Sequence, residues 1–66
     1  DGFDVIRALL SASAEAAPAG AQLLIEVGAG QARLVAELPE AKGLWSLVAL
    51  HPDLNRIERV VHLRRI

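Results

Sequence analysis

Gln22-Leu23-Leu24-Ile25-Glu26-Val27-Gly28-Ala29-Gly30 decides the fold of this chain. Gln22 to Val27 is a short apolar run between turn signals, with Pro18 and Gly20 before it and Gly28 and Gly30 after it. Such a run reads as a buried strand, and a strand covered on both faces is normally a parallel one. The two glycines then release the chain into a tight turn, and a helical pattern follows. A strand that runs through glycines into a helix is the repeating unit of an α/β sheet.

Toward the amino end, Val5 to Ala17 has helical periodicity, with Val5, Ile6, Leu9, Leu10, Ala16 and Ala17 on one stripe. Asp1 and Asp4 suit the positive end of its dipole, and Pro18 with Gly20 ends it. Toward the carboxyl end, Gln31 to Lys42 reads as a second helix with Leu34, Val35, Leu38 and Ala41 as its apolar stripe. Pro39 removes a helix hydrogen bond and crowds the preceding turn, so a kink or an early end is expected there. Gly43 stands where a C-cap belongs. Trp45 to Leu50 reads as a strand, His51 to Arg56 as a polar loop, and Ile57 to Leu63 as a strand closing a hairpin, with Ile57, Arg59, Val61 and Leu63 on one side. The order predicts an α/β fold in which two helix–strand units build a parallel sheet and the last strand is antiparallel.

At 66 residues the chain is one domain, 1–66, and a marginal one, because so short a chain buries little of its unfolded surface. Hydrophobic residues make up 53%, yet Trp45 and Phe3 are the only aromatics, so the core must be Leu, Val, Ile and Ala. That is more apolar surface than the chain covers alone, which points to self-association. The net charge of −1 and the scattered basic residues give no field that would attract nucleic acid or an acidic membrane. Arg64 and Arg65 read as a solvated tail. The absence of cysteine excludes disulfides and thiolate metal sites and fits a reducing, cytoplasmic setting. No apolar run reaches the ~18 residues of a membrane span. A chain that opens on Asp1 and contains no methionine is expected to be a piece of a longer protein or a processed product.

The glycine turn is the one motif that looks like chemistry. Nucleotide-binding loops sit between a strand and a helix in this way, and Asp53 follows the next strand as a ribose-binding acid would. Against this, Ala32 and Arg33 stand where a third glycine belongs, and a hairpin follows Asp53 where a crossover helix is needed. A bare pair of glycines reads first as a structural turn, with Gly28 at a backbone angle closed to residues with a Cβ. A nucleotide- or methyl-donor-binding half-domain using Gly28 and Gly30 stays open, as does a non-enzymatic self-associating module. His51 and His62 lack a third metal ligand and read as a loop-edge and a strand-surface histidine. Ser11, Ser13 and Ser46 lack the glycine-flanked elbow of a nucleophile. Glu37 and Glu40 read as a solvated helix face. No residue stands out as catalytic and none as a metal ligand.

Taken in order, several segments resemble a known family. They are Asp1-Gly2-Phe3-Asp4-Val5-Ile6-Arg7, Ala19-Gly20, Leu23-Leu24-Ile25-Glu26-Val27-Gly28-Ala29-Gly30-Gln31-Ala32, His51-Pro52-Asp53-Leu54 and Glu58-Arg59-Val60-Val61. Together they look like the carboxy-terminal part of the HemK/PrmC family of release factor glutamine methyltransferases, which use S-adenosylmethionine. The resemblance covers essentially the whole chain. It implies a Rossmann-like methyltransferase domain of which this chain holds the last three strands and two helices, the final strand slotted antiparallel between the other two. It implies that the longer enzyme moves a methyl group to the side-chain amide nitrogen of a glutamine in peptide chain release factors. It also implies that the cofactor loop and an Asn-Pro-Pro-Tyr motif lie upstream. No Asn-Pro-Pro and no tyrosine occur here, so the chain alone is expected to hold no cofactor, to be inactive and to pair as a homodimer or higher oligomer. Ligands of open α/β sheets sit beyond the carboxyl ends of strands, which makes Glu26, Gly28 and Gly30 the candidate substrate-side turn.

Overall fold

The structure, a computed structural model, describes residues 2–66; Asp1, expected at the head of the first helix, lies outside the described residues. The elements are α1 (Asp4–Ala16), β1 (Gln22–Glu26), α2 (Ala32–Ala36), α3 (Pro39–Leu44), β2 (Trp45–Pro52) and β3 (Glu58–Arg65). Asp4 lies in the first turn of α1, where its charge suits the helix dipole. Ala17 turns extended and ends the helix, as a residue before proline prefers. The buried stripe of α1 is narrower than expected. Leu10 and Ala14 are buried and Ile6 packs beside them, a strict four-residue spacing. Val5 and Leu9 sit on the flank in solvent, Val5 at 83% exposure.

The sheet order is β1-β3-β2, and β3 is antiparallel to both neighbours. β1 and β2 therefore run in the same direction without pairing with each other, and the expected parallel pairing is replaced by two co-directional strands with the hairpin's last strand between them. This is the insertion that the resemblance implied. Val61 lies in the central strand opposite Ile25 on one side and Leu50 on the other. That row faces the helices. Ile25, Val27, Trp45, Val61 and Leu63 meet Leu10, Ala14, Ala32, Val35, Leu38 and Ala41 in one core. Side chains alternate along each strand, so Gln22, Leu24 and Glu26, Val60, His62 and Arg64, and Ser46, Ala49 and His51 share the opposite face. No helix covers that face among the described residues, and Leu24 is 60% exposed.

Pro39 ends the second helix early and starts a third. Leu38 is extended, and Pro39 takes the first helical position of α3, where its missing N–H has no intrahelical partner to lose. Among the described residues there are thus three helices where two were expected. Leu34 of the expected stripe is exposed, whereas Val35, Leu38 and Ala41 are buried. Glu37 and Glu40 do not share a helix face: Glu37 follows α2 and accepts from Lys42 at 2.8 Å, and Glu40 lies in α3, 3.6 Å from Arg7. Gly43 is an interior residue of α3 and not its C-cap, and the extended Trp45 ends that helix.

β2 runs on through His51 and Pro52, which the sequence placed in the loop, with a register shift between Leu47 and Ala49. The terminal arginines are not a tail either. β3 includes both, and Arg65 donates from Nε to the Ala14 carbonyl at 2.9 Å and from Nη1 to the Leu44 carbonyl at 3.2 Å. One guanidinium thereby ties the carboxyl ends of α1 and α3 to the sheet, where a cation also suits the helix dipole.

Candidate functional site

The turn after β1 is closed by its own side chain. Val27 extends the ladder by donating to the Arg59 carbonyl at 2.8 Å. The Gly28 N–H then donates to Gln31 Oε1 at 2.9 Å, and the Gln31 N–H returns to the Gly28 carbonyl at 3.1 Å. Gly28 does not have a positive φ, which corrects the expected backbone reason for it; Gly30 does, at 80°. What a Cβ on Gly28 would meet is Gln31 Oε1 at 3.1 Å, the group that locks the turn. Gly30 is the residue whose conformation calls for glycine.

Beyond that turn lies a cleft of about 250 Å³ lined by Gly30, Ala32, Arg33 and Glu58. Arg33 meets Glu58 as a fork, Nε to Oε1 at 3.1 Å and Nη2 to Oε2 at 3.3 Å, so the start of α2 is tied to the start of β3. Paired forks of this kind fix orientation as well as charge. The cleft lies past the carboxyl end of β1, where ligands of open α/β sheets sit. Of the three candidate residues, Gly30 lines it, the Gly28 amide is already bound by Gln31, and Glu26 stands exposed on the helix-free face of the sheet. Sequence reasoning missed Arg33 and Glu58 as a pair. Arg33 stands where a third glycine would belong, but nothing in the sequence brings it to a residue 25 positions away.

Asp53 is fully employed in the β2–β3 turn. Its Oδ1 accepts from the Asn55 and Ile57 amides at 2.8 and 3.0 Å, and Oδ2 accepts from Arg59 Nε at 3.1 Å. The Ile57 amide first, and then the Arg59 guanidinium, holds its carboxyl below the usual carboxylate range. It is a turn builder and not a free ribose acid. His51 and His62 come together on the open face: His51 Nε2 lies 3.2 Å from His62 Nδ1, and His62 Nε2 lies 2.5 Å from Gln22 Oε1. This hydrogen-bonded row crosses all three strands. No group of three or more His, Cys, Asp or Glu side chains that could hold a metal ion occurs among the described residues. Nor, among them, is any helix long and apolar enough to cross a membrane.

No family model matches the chain, and no solved structure matches it. Curated proteins do. The release factor glutamine methyltransferase of Cereibacter sphaeroides is 42% identical over 64 residues, which is 97% of this chain and 23% of that protein. Those of Bradyrhizobium diazoefficiens and Synechocystis sp. are 38% and 36% identical over 66 residues, 100% of this chain and 22% of each relative. The chain is a homologue of part of the release factor glutamine methyltransferases. It spans about a fifth of the length of these methyltransferases. The turn at Gly28–Gly30, the Arg33–Glu58 fork and the Asp53 hairpin all fall inside the stretch aligned with the Synechocystis and Bradyrhizobium methyltransferases.

Proposed function

We propose that this chain forms the carboxy-terminal end of the catalytic domain of a HemK/PrmC-type methyltransferase, a cytoplasmic enzyme with a Rossmann-like sheet. That longer enzyme transfers a methyl group from S-adenosylmethionine to the side-chain amide nitrogen of a glutamine in peptide chain release factors. The observation that carries the reading is the sheet order: an antiparallel last strand lies between two co-directional strands in a chain similar to these methyltransferases from end to end.

Within this reading the chain is scaffold on the substrate side. Gly30, Arg33 and Glu58 form one wall beyond β1. The fork between Arg33 and Glu58 holds α2 and β3 in register, so the Glu26–Gly30 turn keeps its place. Methyl transfer to an amide needs a group that holds the amide N–H and a pocket that orients the sulfonium. Three of the polar groups here are engaged within the chain: Gly28 N–H with Gln31, Asp53 with its hairpin, Glu58 with Arg33. On this reading the chain alone is expected neither to bind the cofactor nor to transfer a methyl group.

The competing reading, a nucleotide- or methyl-donor-binding half-domain built on Gly28 and Gly30, is separated by calorimetric titration of the chain with S-adenosylmethionine and with NAD. No saturable heat is expected from either. Saturable binding of S-adenosylmethionine in the micromolar range would overturn the scaffold assignment and favour a cofactor turn.

A further inference from the structure

Gln22, His62 and His51 stand on β1, β3 and β2 and meet in one row. His51 and His62 share a face of the sheet, and His51 lies two residues past Ala49, the register partner of His62. Diagonal neighbours of this kind are within reach of ring side chains. His51 Nε2 and His62 Nδ1 are 3.2 Å apart, and the other ring nitrogen of His62, Nε2, is 2.5 Å from Gln22 Oε1. An amide oxygen only accepts, so neutral His62 carries its proton on Nε2 and keeps a lone pair on Nδ1. His51 Nε2 then donates to that lone pair.

We propose that His51 Nε2 and His62 Nδ1 are the two protein ligands of a divalent d-block ion of the nickel and zinc class, with water at its remaining positions. Imidazole nitrogen suits these ions, whereas magnesium calls for oxygen. The spacing fits. Two nitrogens, each about 2.1 Å from one ion, lie about 3.0–3.4 Å apart when the angle at the metal is between about 90° and 109°. The 3.2 Å gap falls inside that range. The protons balance: His51 gives up the Nε2 proton to water and takes one on Nδ1, so the ring changes tautomer and stays neutral. Gln22 supplies what a ligating histidine needs behind it, a carbonyl on the far ring nitrogen that fixes tautomer and orientation. Both spacings come from the pairing of β3 with β1 and with β2, so they do not depend on what else packs on this face. The inference stands independently of the methyltransferase reading.

Calorimetric titration of the untagged chain with nickel(II) chloride and with zinc(II) chloride tests it. One ion per chain should bind saturably, and magnesium(II) chloride should give no saturable heat. His51→Ala and His62→Ala should each abolish saturable binding and still melt cooperatively, since neither ring belongs to the core. Gln22→Leu should weaken nickel binding about 10- to 100-fold, the range for losing such a support. Gln22→Glu keeps an acceptor and should retain binding. On the unmodified chain, paramagnetic nickel(II) should broaden the magnetic resonance signals of His51 and His62 before those of Glu37 and Glu40. No saturable binding of either metal overturns the proposal. So does full-strength binding in either histidine variant, broadening centred away from the two histidines, or one ion shared between two chains. Unchanged affinity in Gln22→Leu overturns the part given to Gln22.

Discussion

The indole Nε1 of Trp45 donates to the main-chain carbonyl of Leu10 at 3.2 Å, joining the first residue of β2 to the middle of α1. Leu10 is wholly buried and Trp45 nearly so. Leu10→Ala should cost ~2–5 kcal/mol, the range for removing a buried leucine side chain. Small domains have little stability to spare, so this variant should lose its cooperative unfolding transition at room temperature. Trp45→Phe keeps most of the ring and loses the hydrogen bond, for a smaller loss of ~0.5–1.5 kcal/mol. Urea denaturation followed by circular dichroism ranks the two. Trp45→Phe costing more than Leu10→Ala would mean that α1 is not held in this way.

Acid should loosen the β2–β3 hairpin through Asp53. Its carboxyl is held below its ordinary value by the Ile57 amide and then by Arg59. A group whose folded value is depressed adds stability above its unfolded value, and that stability fades as the pH drops through the folded one. The melting temperature should therefore fall below about pH 4, in the ordinary carboxylate range. Asp53→Asn should melt lower at neutral pH and show a flatter acid limb. Equal acid dependence in the two proteins would remove Asp53 from the account.

The two glycines of the β1–α2 turn should behave differently. Gly30 holds φ at 80°, a left-handed conformation that costs an L-residue ~1–2 kcal/mol. Gly30→Ala should lose about that much stability. Gly28→Ala meets only the flexible end of Gln31 and disturbs one exposed hydrogen bond, so its loss should stay below ~1 kcal/mol. Thermal unfolding of both variants checks the order. A larger effect at Gly28 would restore the backbone reason that the structure removes.

Where the sequence was legible, a local pattern or a family resemblance carried the information. The apolar run before Gly28 marked β1, and Pro39 marked the end of a helix. The insertion of β3 between β1 and β2 came from the resemblance, since periodicity alone cannot tell which strands are neighbours. What escaped depended on partners distant in the chain. Val5 and Leu9 are apolar at helical spacing, but a three-stranded sheet covers only the Ile6, Leu10 and Ala14 side of α1. Arg65 looked like a free end because the two carbonyls it holds belong to Ala14 and Leu44. The His51–His62 contact needed β2 to continue past Leu50, and a proline at position 52 hid that, although Pro is tolerated at a strand's end. At the candidate site, Gly28 and Gly30 were visible by type, but their division of labour was not. Only the side chain of Gln31 folding back separates them.

The most direct measurement of the central claim is a graft. The matching segment of the Cereibacter sphaeroides release factor glutamine methyltransferase is replaced by these 66 residues, and methylation of a release factor glutamine is assayed with S-adenosylmethionine. If the chain is the scaffold end of such a catalytic domain, the hybrid should keep its rate within about tenfold, a barrier change of ~1.4 kcal/mol. A hybrid that unfolds cooperatively and still binds S-adenosylmethionine, but transfers no methyl group, would contradict that claim.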